Sequence, residues 1–365
     1  MINLNFFPSV RLALYTVKLF LTRSLAVLLA LVLVLMTLDL LGESGKILAV
    51  PGNGEPELWS YVSLRVPMLI SRFLPFAVLL GTLITFTTLN QNSEVIAMKA
   101  AGLSAHQILA PLIVASLFVA AAAFAFNERV VTKATRTVTA WDENDYRPLP
   151  VESGVLGNVW VMAGDDLVRV RLVAGRGAGT RLERVEIYER EENVISRVIR
   201  AERARPAGEA WQLENAEIYS PEMNLIRRVP ELRALENVEP ARLTLAKVDP
   251  ETIDFFALRG ALDELRAAGR PTAAVEAGLW HKISGPLSTL LMPLLAAVAA
   301  FGLARSGRTL LRAVVGMALG FGFFVADNFS LAMGNVGAYP PLLAAWAPFF
   351  LFLLIGETVL VRSEE

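Results

Sequence analysis

Six runs of apolar residues, each close to the length of one membrane crossing, constrain this chain more than any other feature. They fall near residues 20–41, 64–89, 109–126, 284–304, 313–333 and 341–361. About 20 helical residues cover the roughly 30 Å of bilayer hydrocarbon, where a segment must satisfy its own backbone hydrogen bonds. The chain therefore reads as an α-helical membrane protein with six transmembrane helices. A hydrophobic share of 54% and a mean hydropathy of +0.49 agree with that reading. The first run has Arg11, Lys18 and Arg23 before it, but LGESGK rather than a small-residue cleavage site after it. It reads as a retained span, not a removable signal peptide.

Charge is distributed unevenly. Between Glu128 and Gly278 lie 22 of the 34 Lys and Arg and 26 of the 35 Asp and Glu. That stretch is a water-soluble insert, which divides the chain into a first transmembrane half (1–127), an inserted domain (128–278) and a second transmembrane half (279–365). The short loops give the orientation. Lys99 and His106 lie between spans two and three, Arg305, Arg308 and Arg312 between spans four and five, and Arg362 follows span six. Placing these on the cytoplasmic side puts both termini there too. The acidic loop at 42–60, the uncharged GNVGAYPP and the large insert then face outward. A net charge of -1 and the lack of a basic, aromatic-interleaved cluster exclude nucleic acid as a partner. With no cysteine, the insert is held by its core alone, which about 150 residues permit.

Within the insert, residues from about 150 to 248 read as all-β. In LVRVRLV, Val168, Val170 and Leu172 alternate with Arg169 and Arg171, so one face is apolar and the other charged. A turn at Gly164, Asp165 and Asp166 joins this strand to NVWVMA, and VEIYERE and AEIYSPE echo one another further on. Several short strands of this kind suggest a sandwich or jelly roll. From Asp249 the segment DPETIDFFALRGALDELRAAGRP reads as a capped amphipathic helix closed by Gly269.

No energy-converting or catalytic motif accompanies these elements. GESGK is too short for a phosphate-binding loop, no HExxH or GxSxG occurs, and His106 and His281 are the two histidines. The chain is not an enzyme on this reading and holds no metal or cofactor of its own. One feature between spans two and three stands out instead. LNQNSEVIAMKAAGLSAHQIL is amphipathic, with Ser93 placed to cap a short helix, Val95, Ile96, Met98, Ala100 and Ala101 as contact surface, and Gly102 to end it.

The order of three spans, a β domain and three spans, together with NSEVIAMKAAGLS, VPMLISRFLPFAVLLGTL, DPETIDFFALRGALDELRAAGR, LWHKISGPLSTLLMPLLA and GFGFFVADNF, resembles the LptF/LptG permease family of the lipopolysaccharide exporter. The HKI segment and the fifth span are more similar to the LptG-like member. The resemblance implies an inner-membrane ABC exporter of Gram-negative bacteria. An LptF-like second permease and two copies of an LptB-like ATPase complete it, with ATP and Mg bound by the ATPase, and an LptC-like single-span protein receives the lipid. The inserted domain is then a periplasmic β-jelly-roll that passes lipopolysaccharide toward the outer membrane. The segment at about 90–106 becomes the coupling helix, with Ser93, Glu94, Met98 and Gly102 in contact with the ATPase. Glu94 has two readings: a carboxylate in the first helical turn favoured by the helix dipole, or one half of an ion pair with an ATPase arginine.

A lipid with phosphorylated sugars and several acyl chains needs a few cations and a large apolar wall. Arg65 and Arg72, seven residues apart on span two, and Arg129, Lys133 and Arg136 after span three are the cations to weigh. Phe321 and Phe324, with Phe323 and Phe329, are the aromatic wall. Against each stands a plainer reading, in which exposed charges are solvated or snorkel to the interface and the aromatics are ordinary packing. The family often carries lysines near the outer end of span one, whereas this chain has Asp39, Gly42 and Glu43 there and Lys46 beyond. Asp327 inside span five should face a polar interior or a partner, and Glu357 should reach the interface near Arg362. Two rival classes are an ion-coupled secondary transporter, which would place acids and broken helices in both halves, and a structural reading in which the spans merely anchor the β domain, which needs one span and not six. Within transport the runner-up is another ABC permease, of lipoprotein-releasing or mechanotransmission type.

Overall fold

A computed structural model describes residues 9–149, 156–175, 179–191, 194–208, 210–222, 224–236, 238–240, 243, 248–267, 269–301 and 309–362. Six helices in it are long and apolar enough to cross a membrane. In chain order the helices are α1 (Val10–Leu48), α2 (Glu55–Gln91), α3 (Glu94–Ala100), α4 (Ala105–Phe126), α5 (Thr132–Glu143), α6 (Phe255–Ala267), α7 (Ala273–Leu287), α8 (Leu291–Phe301), α9 (Thr309–Asn335) and α10 (Pro341–Arg362). A π-helical turn, Asn127–Val131, joins α4 to α5, and a 3-10 turn, Ser288–Leu290, joins α7 to α8. The helices outrun the apolar segments. The 39 residues of α1 rise about 58 Å, nearly twice the hydrocarbon thickness, so its polar ends continue beyond any bilayer. Arg305 and Arg308, read as part of a loop that sets orientation, lie outside the described residues.

The chain forms two compact units. The first comprises residues up to Asp39, Val66–Thr132 and Asp254–Glu365. Its core gathers Phe20, Leu79, Phe86, Leu109, Leu295 and Phe323, all nearly or fully buried. In this unit α10 packs on α7, α8 and α9, and α4 packs on α7 and α8. Small residues let backbones approach, as is usual between apolar helices. Gly81 of α2 lies so close to α1 that a Cβ there would sit 2.6 Å from the backbone N and Cα of Ser24. Next to this crossing, Arg23 Nη1 donates to the carbonyl of Ile84 at 3.0 Å.

The second unit comprises Leu40–Arg65 and Lys133–Ile253. Six antiparallel strands pair in chain order: β1 (Leu156–Ala163), β2 (Asp166–Ala174), β3 (Arg181–Glu191), β4 (Val194–Ala207), β5 (Ala210–Tyr219) and β6 (Leu225–Ala234). The inserted all-β domain is thus present, and among the described residues its strands form one consecutive meander. The alternation in β2 sets the inner face: Val168 and Val170 are fully buried there, while Arg169 points the other way. The expectation for Leu172 fails: the alternation breaks at Arg171, Val173 takes the inner position, and Leu172 packs with Ala140 and Ala174 instead. Pairing across the register extends that face through Val159, Val170, Val185 and Ala201 and through Val161, Val168, Ile187 and Ile199. The opposite face carries a row of alternating charge, Arg169–Glu186–Arg200–Glu217–Arg228, one residue from each of strands β2 to β6. Arg169 also lies over the ring of Trp160, 5.1 Å from its centre.

One sequence expectation shifts here. The helix read from Asp249 begins at Phe255, because Asp249 closes a turn through the Glu251 and Thr252 amides, and Asp254 Oδ1 accepts from Ala257 N at 3.0 Å. Its end is as expected. Gly269, at φ +65°, donates to Arg266, and Arg270 donates to Leu265, closing the helix with a left-handed residue.

Candidate functional site

The short helix α3 sits between two spans because both its ends are strongly punctuated. Gly102 adopts φ +86°, its amide donates to Lys99 O at 2.9 Å, and Leu103 N donates to Met98 O at 3.1 Å. This pair of bonds stops the helix after Ala100 and frees the chain to start α4. There Ser104 and Gln107 form a reciprocal capping box. The N-terminal expectation fails. Ser93 is left-handed, at φ 58° and ψ 14°, and its side chain makes no capping bond. An N-cap needs an extended backbone to bring its oxygen over the N3 amide. Ser93 instead contributes its carbonyl, which accepts from Ala97 N at 3.0 Å.

The faces of α3 divide differently from the sequence reading. Val95 and Met98 turn inward and are buried, so Met98 anchors α3 to its own unit and is not a free contact residue. Ile96 is 65% exposed, and Ala97, Lys99, Ala100 and Ala101 share its outward position. Glu94 stands at the rim. Its Oε1 accepts from Tyr15 Oη and from Asn92 Nδ2, both at 3.2 Å.

A second group of charges lies in the same unit. The π turn carries Glu128, whose Oε1 lies 2.9 Å from Lys282 Nζ on α7. Its other oxygen accepts the amide of Phe255 at the start of α6. The carbonyl of Asn127 accepts from Thr132 Oγ1 at 2.8 Å, and Ser71 Oγ reaches the Asn127 side chain at 3.3 Å. The expectation for Asp327 holds: its Oδ2 is 3.0 Å from His281 Nε2. Thus His281 and Lys282, adjacent on α7, tie that helix to α9 and to the π turn. Glu357 Oε2 lies 3.3 Å from His106 Nε2, which ties the last turns of α10 to the start of α4.

The expected lipid-binding residues are divided between the units: Arg72, Arg129, Phe321 and Phe324 belong to the first, and Arg65, Lys133 and Arg136 to the second. Arg65 is half-buried on α2, whereas Arg72 is exposed. Arg129 and Lys133 are exposed, and Arg136 is engaged, its Nε donating to Thr252 O at 2.9 Å. Phe324 packs edge-on against Phe76 with ring centres 5.2 Å apart, while Phe321 is 60% exposed beside Val325 and Phe329 on the same face of α9. Tyr15, Glu128 and Lys282 were not singled out from the sequence. A tyrosine near a span end and an acid beside Arg129 have no local pattern that marks them. Among the described residues no group of three or more His, Asp or Glu could hold a metal ion.

Six membrane-length helices, interrupted in the chain by an antiparallel sheet, and a short punctuated helix between spans two and three define a multi-pass membrane protein. The family model for the lipopolysaccharide export system permease LptF/LptG matches residues 14–362, and the chain belongs to that family. The lipopolysaccharide export system permease protein LptG of Escherichia coli K12 is 26% identical over 313 residues, 83% of this chain and 85% of the relative. Its namesake from Haemophilus influenzae is 27% identical over 329 residues, 86% and 89% of the two chains. As a family member the chain is a permease subunit of a lipopolysaccharide export system, and the rival readings fall away.

Proposed function

We propose that this chain is the LptG-like permease of an inner-membrane ABC exporter, driven by a separate ATPase that engages α3. The carrying observation is the build of α3 itself. Val95 and Met98 fasten it to the membrane unit, while Ile96, three alanines and the Glu94 carboxylate are presented outward. A helix with one face committed to its own unit and the other small and apolar suits docking in a groove of a partner. The α3 loop and the chain termini then lie on the cytoplasmic side with ATP and Mg on the partner, and the sheet unit is periplasmic. An LptF-like permease and an LptC-like protein complete the assembly. Ser93 and Gly102 shape α3 through their left-handed backbones, and Glu94 supplies the charge.

For the lipid, the exposed Arg72 and Arg129 are the cations offered to phosphates, with Lys133 beyond them. Arg136 serves chiefly to hold the Thr252 carbonyl, and Arg65, half-buried on α2, is a further cation to weigh. Phe321, on the exposed face of α9, is the aromatic offered to acyl chains, and Phe324 backs it against Phe76.

Co-purification from native membranes tests this. A separate ATPase and bound lipopolysaccharide should accompany the chain. Glu94→Ala should leave the permease inserted but weaken ATPase association about tenfold or more, the effect of leaving a partner's buried cation unpaired. Undiminished assembly and export with Glu94→Ala would remove Glu94 from the coupling.

A further inference from the structure

We infer that Tyr15 of α1 is a positioning residue for Glu94, which ties the coupling helix to the first span; this rests on the coupling reading of α3. Tyr15 and Glu94 are 79 positions apart, yet Tyr15 Oη donates to Glu94 Oε1 at 3.2 Å. Asn92 Nδ2 donates to the same oxygen, also at 3.2 Å. Oε2 accepts no hydrogen bond among the described residues. One oxygen held from two sides fixes the plane of the carboxylate and leaves the other oxygen open to a guanidinium or ammonium group. Nothing within α3 performs this task. The helix has seven residues, too few for stability of its own, and Ser93 does not cap it.

The tie has mechanical reach because α1 is gripped again further along. Arg23 holds the carbonyl of Ile84, and Ser24 lies against Gly81, so α1 and α2 cross in close contact about two turns beyond Tyr15. A displacement of α3 therefore reaches the membrane unit along the chain to α2 and α4, through the buried Val95 and Met98 that share a core with Phe20, and across the Tyr15–Glu94 bond to α1. The last of these belongs to one hydroxyl. Removing it leaves the ring, the helix and the packing in place.

The test uses the assembled transporter in proteoliposomes containing lipopolysaccharide, with Tyr15→Phe made in the parent chain and in a Glu94→Gln background. In the parent chain, Tyr15→Phe should retain the ATPase partner on purification yet lower lipid exported per ATP hydrolysed about threefold, as for one partly exposed hydrogen bond lost. In the Glu94→Gln background the same substitution should change that ratio little, since the charge it positions is gone. An unchanged ratio in the parent chain, or an equal loss in both backgrounds, overturns the positioning role while leaving the coupling reading intact. If Glu94→Gln and Glu94→Ala both assemble and export normally, the coupling reading fails, and the role of Tyr15 fails with it.

Discussion

Lys282 Nζ lies 2.9 Å from Glu128 Oε1, with the two side chains only 7% and 14% exposed, although 154 residues separate them in the chain. The π turn makes this possible, since the extra residue per turn rotates Glu128 relative to its place in a regular helix. Glu128 then also receives the first amide of α6, so one carboxylate joins span three, span four and the helix before it. Lys282→Met should destabilise the unit by about 3–5 kcal/mol, because it strands a buried carboxylate. Adding Glu128→Gln should recover much of that loss. Thermal unfolding of the purified single and double variants in detergent measures both. Equal, additive losses would mean that the two residues act independently.

The crossing of α1 and α2 makes a sharper steric prediction. A Cβ at Gly81 would meet the α1 backbone at Ser24, which cannot yield as a flexible side-chain tip could. Gly81→Val should push the helices apart at a cost of about 1–3 kcal/mol or more. The chain has no cysteine, so a cysteine pair placed across α1 and α2 at this crossing is a clean reporter. The pair should form a disulfide in the parent background and lose it with Gly81→Val.

Tyr146 offers a pH test within the sheet unit. It is 4% exposed, its hydroxyl donates to Glu43 Oε2 at 2.8 Å, and its carbonyl accepts from Asn53. Burial first, then the bonded Glu43 and the nearby Asp142, push its phenol well above the ordinary tyrosine value. A raised acid favours the protonated form in the folded state. Its stabilising contribution is therefore complete below pH about 10, where unfolded tyrosine ionises, and declines as pH climbs from there toward the folded value. Phenolate absorbance should show one tyrosine that titrates only as the unit unfolds. Tyr146→Phe should abolish that late phase and cost about 1.5–3 kcal/mol for a lost bond to a charged group.

What was legible in the sequence follows from how local its cause is. Gly102 and Gly269 were readable as helix stops because a left-handed backbone is a property of one residue and its neighbours. The alternation around Val168 and Val170 was readable because period two assigns faces directly. Ser93 was misread because capping depends on its backbone angle, and here the same residue type occupies a left-handed turn. Met98 was misread because a seven-residue amphipathic helix shows which residues share a face but not whether that face meets its own unit or a partner. Asp327 announced the need for a partner, but His281 lay 46 residues away. The pairs Glu128–Lys282, Tyr15–Glu94 and His106–Glu357 are products of packing, and no spacing in the chain encodes them.

The two faces of the sheet differ enough to discriminate lipid transit from mere support. The inner rows are apolar from β1 to β5, and Val161 is an inner-face position that remains half-buried, with Val168 opposite it. Arg200, on the outer row, is exposed and held between Glu186 and the ring of Tyr219. If acyl chains travel along the inner face, they must reach it where side chains are not already fully enclosed. A photo-crosslinking residue at Val161 should then capture lipopolysaccharide in the assembled transporter when ATP is supplied, and one at Arg200 should not. Glu186→Gln serves as a control. It weakens a partly exposed charge row by about 0.2–1 kcal/mol and should leave the capture at Val161 unchanged. Equal capture at Val161 and Arg200, or capture at Val161 without ATP, would assign the sheet a role other than conducting the lipid.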